Sequence, residues 1–150
     1  MSIVLDASTA LAAVLPDEES GFARAATAVA VHDGLVVPAL WPYEIQNGLA
    51  MALRRNRIDA ESLSDALGAL RGLGAELEAP QGLGHELRLA QAHGLTAYDA
   101  AYLAVALNTG ATLATNHRRL RRAAERVGVA LFAEPPSKSS KPPHSTRSKR

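Results

Sequence analysis

Three carboxylates in this 150-residue chain stand where a negative charge is hard to explain. Asp6 directly follows the apolar run Ile3-Val4-Leu5. Glu44 lies three residues after Trp41 and four before Gly48, beside Ile45, so on a helix it shares or borders the apolar stripe. Asp99 precedes Tyr102 and Leu103 by three and four residues, again on the side that should face inward. An inward charge is costly unless something pairs with it. Most of the other acids need no such account. Asp17, Glu18 and Glu19, like Asp59, Glu61 and Asp65, fall at or near helix starts, where the macrodipole favours negative charge.

Each of the three also has a purely local reading. Asp6 can bond the backbone of Ser8 or Thr9 as an Asx turn. Asp99 follows Thr96 by three residues, the spacing of a capping-box variant. Glu44 in the first turn of a helix opened by Pro42 has the dipole as its reason. One shared cause is simpler than three separate ones. If the three carboxylates converge, their repulsion requires a cation, and an all-oxygen cluster suits Mg²⁺, or Mn²⁺ in its place, rather than a soft metal. Such a site is suited to phosphate chemistry. The ion lowers the pKa of a bound water and neutralises charge on phosphodiester oxygens, so no side-chain nucleophile is required.

The elements that must position these residues alternate between strand and helix. Strands are predicted at Ile3 to Leu5, Leu35 to Val37, Glu76 to Glu78, Thr112 to Ala114 and Val129 to Phe132. Helices are predicted over Ser8 to Leu15, residues 19 to 31, Pro42 to about Arg55, a segment capped by Asp59, Leu83 to His93, a segment capped by Thr96, and the basic stretch His117 to Val127. The pattern implies an α/β fold with a mainly parallel sheet flanked by helices. Ligand sites in such sheets lie at the carboxyl ends of the strands, which is where Asp6 falls. The two helices between Pro42 and Leu73 have no intervening strand and are expected to form a protruding pair.

Composition narrows the possibilities. With 47% hydrophobic and 21% charged residues the chain can bury a core, and its length suits one domain. The absence of Cys excludes a disulfide scaffold, a Cys-ligated zinc and a thiol nucleophile. Apolar stretches are broken well before 18 residues and MSIVLDAST has no basic region followed by an apolar one, so a cytoplasmic protein with no membrane span is expected. The net charge of +1 averages two unlike segments. Residues 1–134 carry eleven basic and fifteen acidic side chains, a net of −4, while 135–150 carry five basic ones and no acid. That tail, PPSKSSKPPHSTRSKR, lacks aliphatic residues and is predicted to be disordered, leaving a folded domain at 1–134.

Four segments, in order, resemble the PIN-domain ribonucleases of the VapC-like toxin type. They are Ile3-Val4-Leu5-Asp6-Ala7-Ser8; Val37-Pro38 with Trp41 and Tyr43-Glu44; Thr96 to Ala104, TAYDAAYLA; and Leu113-Ala114-Thr115 before the arginine-rich helix. The resemblance implies a PIN-like three-layer sandwich and a Mg²⁺-dependent endoribonuclease acting as the toxin of a toxin–antitoxin pair. Its partners would be an RNA substrate, a cognate antitoxin and a second copy of itself in a homodimer. Asp6, Glu44 and Asp99 match the family's first three acidic positions, with Asp6 and Asp99 as metal ligands and Glu44 acting directly or through water. Ser8 matches a polar position near the first acid. The chain departs from the family at His117, where a further acid is usual; the histidine either ligates metal or contacts substrate, or merely opens its helix. A degenerate PIN fold serving as a protein-binding module is the alternative. Phosphoryl transfer through an aspartyl intermediate fits less well, because position 8 is Ser rather than Asp and residues 1–134 contain no Lys.

Overall fold

The structure, a computed structural model, describes residues 1–136; the basic tail assigned to 135–150 therefore lies, apart from Pro135 and Pro136, outside the described residues. The chain runs β1 (Ile3–Leu5), α1 (Ala7–Val14), α2 (Gly21–Asp33), β2 (Val36–Pro38), α3 (Trp41–Arg54), α4 (Ala60–Gly72), β3 (Glu76–Glu78), α5 (His85–His93), α6 (Ala97–Thr109), β4 (Thr112–Ala114) and α7 (Arg118–Val127). Short polar side chains set the helix starts. Asp6, Ser20, Asp59 and Thr96 each accept a hydrogen bond from a backbone N–H three residues on, satisfying one of the donors a helix leaves open. At the other end of α6, Gly110 takes φ 69°, a left-handed conformation that favours glycine, and its N–H closes on the Ala106 carbonyl.

β1 pairs in parallel with β4, Ile3 opposite Thr112 and Leu5 opposite Ala114. β2 pairs in parallel with β3, Val36 opposite Glu76 and Pro38 opposite Glu78. A parallel bridge from Ile3 to Leu35 joins the two ladders, and one from Leu113 to Leu131 extends the far side. The spatial order is thus β3, β2, β1, β4, then the chain at Leu131. From β1 the path steps outward through β2 to β3 and then returns through α5 and α6 to β4, on the opposite side of β1. The carboxyl ends of β1 and β4 therefore flank a topological switch point, the preferred place for a ligand in an open parallel sheet.

Successive residues of a strand point to opposite faces, and Ile3, Val4 and Leu5 are all fully buried, so both faces of the sheet are covered. α6 packs against β1, β2 and β4, and α2 packs against β1 with α1 stacked on it. A three-layer α/β sandwich results. The short outer strand β3 is exposed and carries Glu76 and Glu78, charges that discourage pairing with another sheet edge.

Two expectations change. The helices α3 and α4 do not protrude: both lie against α1, and Ile45, Leu49, Ala52, Ala66 and Leu70 belong to the main core. The predicted strand at Val129 to Phe132 is reduced to the bridge at Leu131. There Phe132 donates its N–H to the Leu113 carbonyl at 2.9 Å, while its ring meets Phe22 of α2 edge to face, ring centres 5.4 Å apart.

Candidate active site

Asp6 ends β1 and caps α1, so one residue serves the turn and the sheet edge together. The residue is 1% exposed and its carboxylate fully engaged. Oδ1 accepts hydrogen bonds from the Thr9 backbone N–H at 2.7 Å and from the Ser8 hydroxyl at 2.9 Å. Oδ2 accepts from the Thr115 hydroxyl, which follows the last residue of β4. The Asp6–Thr115 bond crosses the switch point and fixes the carboxylate at the ends of both strands. The backbone at Thr115 is itself secured, because Arg121 donates to its carbonyl at 2.9 Å.

Glu44 stands in the first turn of α3, where Pro42 pre-sets the helical conformation. Its Oε2 accepts a hydrogen bond from the Tyr102 hydroxyl at 2.9 Å. The same hydroxyl accepts from the Ala7 N–H at 3.2 Å. One buried phenol thus ties Glu44 on α3 to the residue after Asp6. Burial pushes the Tyr102 hydroxyl well above its ordinary range, reinforced by the charge of Glu44 beside it, so it remains a donor at any physiological pH.

Asp99 lies in the first turn of α6 and half makes a capping box. Its N–H donates to Thr96 Oγ1 at 3.1 Å, but its carboxylate turns away from the Thr96 backbone toward His117. Asp99 Oδ1 is 3.3 Å from His117 Nδ1, and Asp6 Oδ2 is 3.9 Å from that nitrogen. The other ring nitrogen, Nε2, is 3.2 Å from Ser8 Oγ. His117 therefore does more than open α7. Its ring stands between Asp6 and Asp99, and its backbone N–H bonds Thr115.

The electrostatics follow from this crowding. Burial raises the Glu44 carboxyl above its ordinary pKa; the Tyr102 hydrogen bond opposes the rise, while the charges of Asp6 and Asp99 add to it. Among the described residues no Lys or Arg forms an ion pair with any of the three acids, and His117 is their one basic neighbour within ion-pair distance. Oxygen donors in negative excess suit a hard divalent cation in kind and charge. In position they are not a finished ligand set: among the described residues no three His, Asp or Glu side chains are gathered closely enough to hold an ion as they stand. Thr9, Ser8 and Thr115 occupy Asp6, Tyr102 occupies Glu44, and the His117 ring stands between the aspartates.

Residues 3–126 match the PIN domain family. The chain belongs to that family. Within it the sequence is VapC-like: it is 34% identical over 123 residues to Ribonuclease VapC3 of Pyrobaculum aerophilum, covering 80% of this chain and 92% of that protein. The fold is similar to the crystal structure of PAE2754 from the same organism, with TM-score 0.60 and 27% identity, covering 82% of this chain and 79% of that one.

The PIN fold sets Asp6 and Asp99 on either side of the His117 ring and ties Glu44, through Tyr102, to the residue after Asp6, each acid on a different element. Two residues that complete the arrangement had no role assigned from sequence. Thr115 follows the apolar strand β4 as Asp6 follows β1, so the strand-end rule that singled out the aspartate also marks the threonine. Tyr102 carries a lone hydroxyl within an apolar helix, and a buried phenol needs a partner; only the tertiary structure identifies it as Glu44.

Proposed function

We propose that this PIN protein is a Mg²⁺-dependent endoribonuclease, with Mn²⁺ as a working substitute, and the toxin of a toxin–antitoxin pair. The observation that carries the reading is the convergence of Asp6, Glu44 and Asp99 at the switch point between β1 and β4. The relative named Ribonuclease VapC3 supports RNA as the substrate class. Asp6 and Asp99 would hold the ion, with Glu44 acting directly or through a water. The ion would supply an activated water and neutralise charge on the phosphate oxygens. The chain's own part is positioning. Thr9 and Thr115 keep Asp6 from rotating, Tyr102 aims Glu44, and the Ser8–His117–Asp99 contacts hold the mouth of the site.

The proposed partners are a cognate antitoxin and a second copy of the chain, with the cytoplasm as the place of action. Leu83, Leu87 and Tyr98 are exposed around hollows on the α5–α6 side, an apolar face that favours self-association. Among the described residues no helix is long and apolar enough to cross a membrane. The proposed division is a nuclease domain at 1–134 and a separate basic tail.

RNA cleavage by Asp6→Asn and Asp99→Asn tests the reading. Asparagine keeps the acceptor that Thr9 needs at position 6, so the fold should survive while cleavage falls at least 100-fold and growth arrest on expression is relieved. Undiminished cleavage by both variants overturns it. The placement of His117 between the aspartates favours one other reading, a PIN fold retained for protein binding. That reading predicts tight antitoxin binding with no binding of Mn²⁺.

A further inference from the structure

The helix that begins at the carboxylates carries a second feature, which the acid site does not use. Arg119, Arg122 and Arg126 recur at helical spacing, so they form a row on one face of α7, while Leu120 and Ala124 on the other face are fully buried. At 1.5 Å per residue the row extends about 10 Å from the end of the helix nearest Asp6 and Asp99. These arginines do not merely project from a convex surface. Together with His93 and Gly94, at the end of α5, they line a single hollow. All three are exposed, and none is in an ion pair among the described residues, whereas Arg57 is held by both Asp17 and Glu18. His93, on the wall of the hollow, has a buried Nδ1 with no partner.

Three guanidinium groups around one concavity, with no carboxylate among the lining residues, repel each other and attract an anion. Guanidinium geometry suits phosphate, which it binds through paired N–H donors. A row about 10 Å long is longer than any one phosphate, which suits a polyphosphate backbone better than a single small anion. We propose that the hollow formed by His93, Gly94, Arg119, Arg122 and Arg126 is a backbone-phosphate subsite that guides single-stranded RNA along α7 to the carboxylate cluster. The inference rests on the ribonuclease reading for its direction toward the acids, but not for the binding itself. Contacts of this kind position the strand without reading its bases.

The test is binding of a fluorescently labelled single-stranded RNA to the full chain in EDTA, across a salt series, so that no chemistry enters. The triple variant R119Q/R122Q/R126Q should bind at least 10-fold more weakly near 0.1 M salt. Its plot of log affinity against log salt should lose about 2 from the slope, at about 0.7 per phosphate on a single strand. The triple Arg→Lys variant should keep most of the slope, which a merely structural role would not predict. In the presence of Mg²⁺ the glutamine variant should show the loss in KM, with kcat within about twofold. Unchanged affinity and slope in a glutamine variant that melts at the parental temperature would overturn the subsite. RNA binding that depends on the arginines in a protein that never cleaves RNA would uphold the subsite and sink the ribonuclease reading instead.

Discussion

At the scale of single residues, Asp6 has two simultaneous roles. It makes the Asx-type bond to Thr9 that its sequence position allows, and the same bond holds the carboxylate rigid at the strand end. The local turn and a carboxylate held at the strand end are therefore one arrangement. Asp99 resolves differently: its backbone takes the Thr96 cap while its side chain is left for His117. Tyr102 gives a sharp prediction at this scale. Tyr102→Phe removes the donor to Glu44 and orphans the buried Ala7 N–H, so it should cost about 1–3 kcal/mol in chemical denaturation. It should also lower kcat, because Glu44 loses its aim. A parental kcat in a destabilised variant would limit Tyr102 to a structural role. Glu44 itself sets a pH dependence. Its folded pKa is raised, so the unfolded chain ionises first as pH rises, and the metal-free fold loses stability through that window. Thermal melts in EDTA should show Glu44→Gln gaining on the parent from pH 4 to pH 7, with no advantage below the ordinary glutamate range.

At the scale of elements, most of the sheet was legible because β1, β2 and β4 are short apolar runs ended by a polar residue or proline. Two helix starts were legible because Asp59 and Thr96 are small polar caps, whereas the Ser20 cap of α2 is seen only in the structure. What the sequence could not supply was long-range contact. The Phe22–Phe132 pair beside the last strand links residues far apart in the chain. The seating of α3 on α1 likewise depends on a close approach at Gly48. A Cβ there would stand 2.3 Å from Leu11 Cδ1, so the glycine lets α3 come up against α1. Alanine can be accommodated by a shift of the Leu11 side chain. A β-branched residue cannot, and Gly48→Val should cost about 1–3 kcal/mol by overpacking. Because α1 begins at Asp6 and α3 carries Glu44, the same variant should also reduce metal-dependent cleavage, measured on protein shown to be folded.

At the scale of the whole molecule, the charge is organised by place. An acid-rich body concentrates three carboxylates at one switch point, an arginine row begins beside them, and further basic residues follow Glu134. The carboxylate of Glu134 lies over Gly21 at the first turn of α2, so a cut after this residue spares the contact. Truncation after Glu134 should therefore leave kcat/KM for RNA within about threefold at 0.15 M salt, because the three carboxylates and the α7 arginines all precede the cut. A larger loss would place the useful positive charge in the tail rather than on α7.

The proposed function stands on the three carboxylates forming a divalent-cation site. Calorimetric titration of the full chain with Mn²⁺, beside Asp6→Asn and Asp99→Asn, tests it most directly. Saturable binding by the parent and its loss in both variants are expected. Absence of binding by a folded parent, or equal binding by all three proteins, would contradict it.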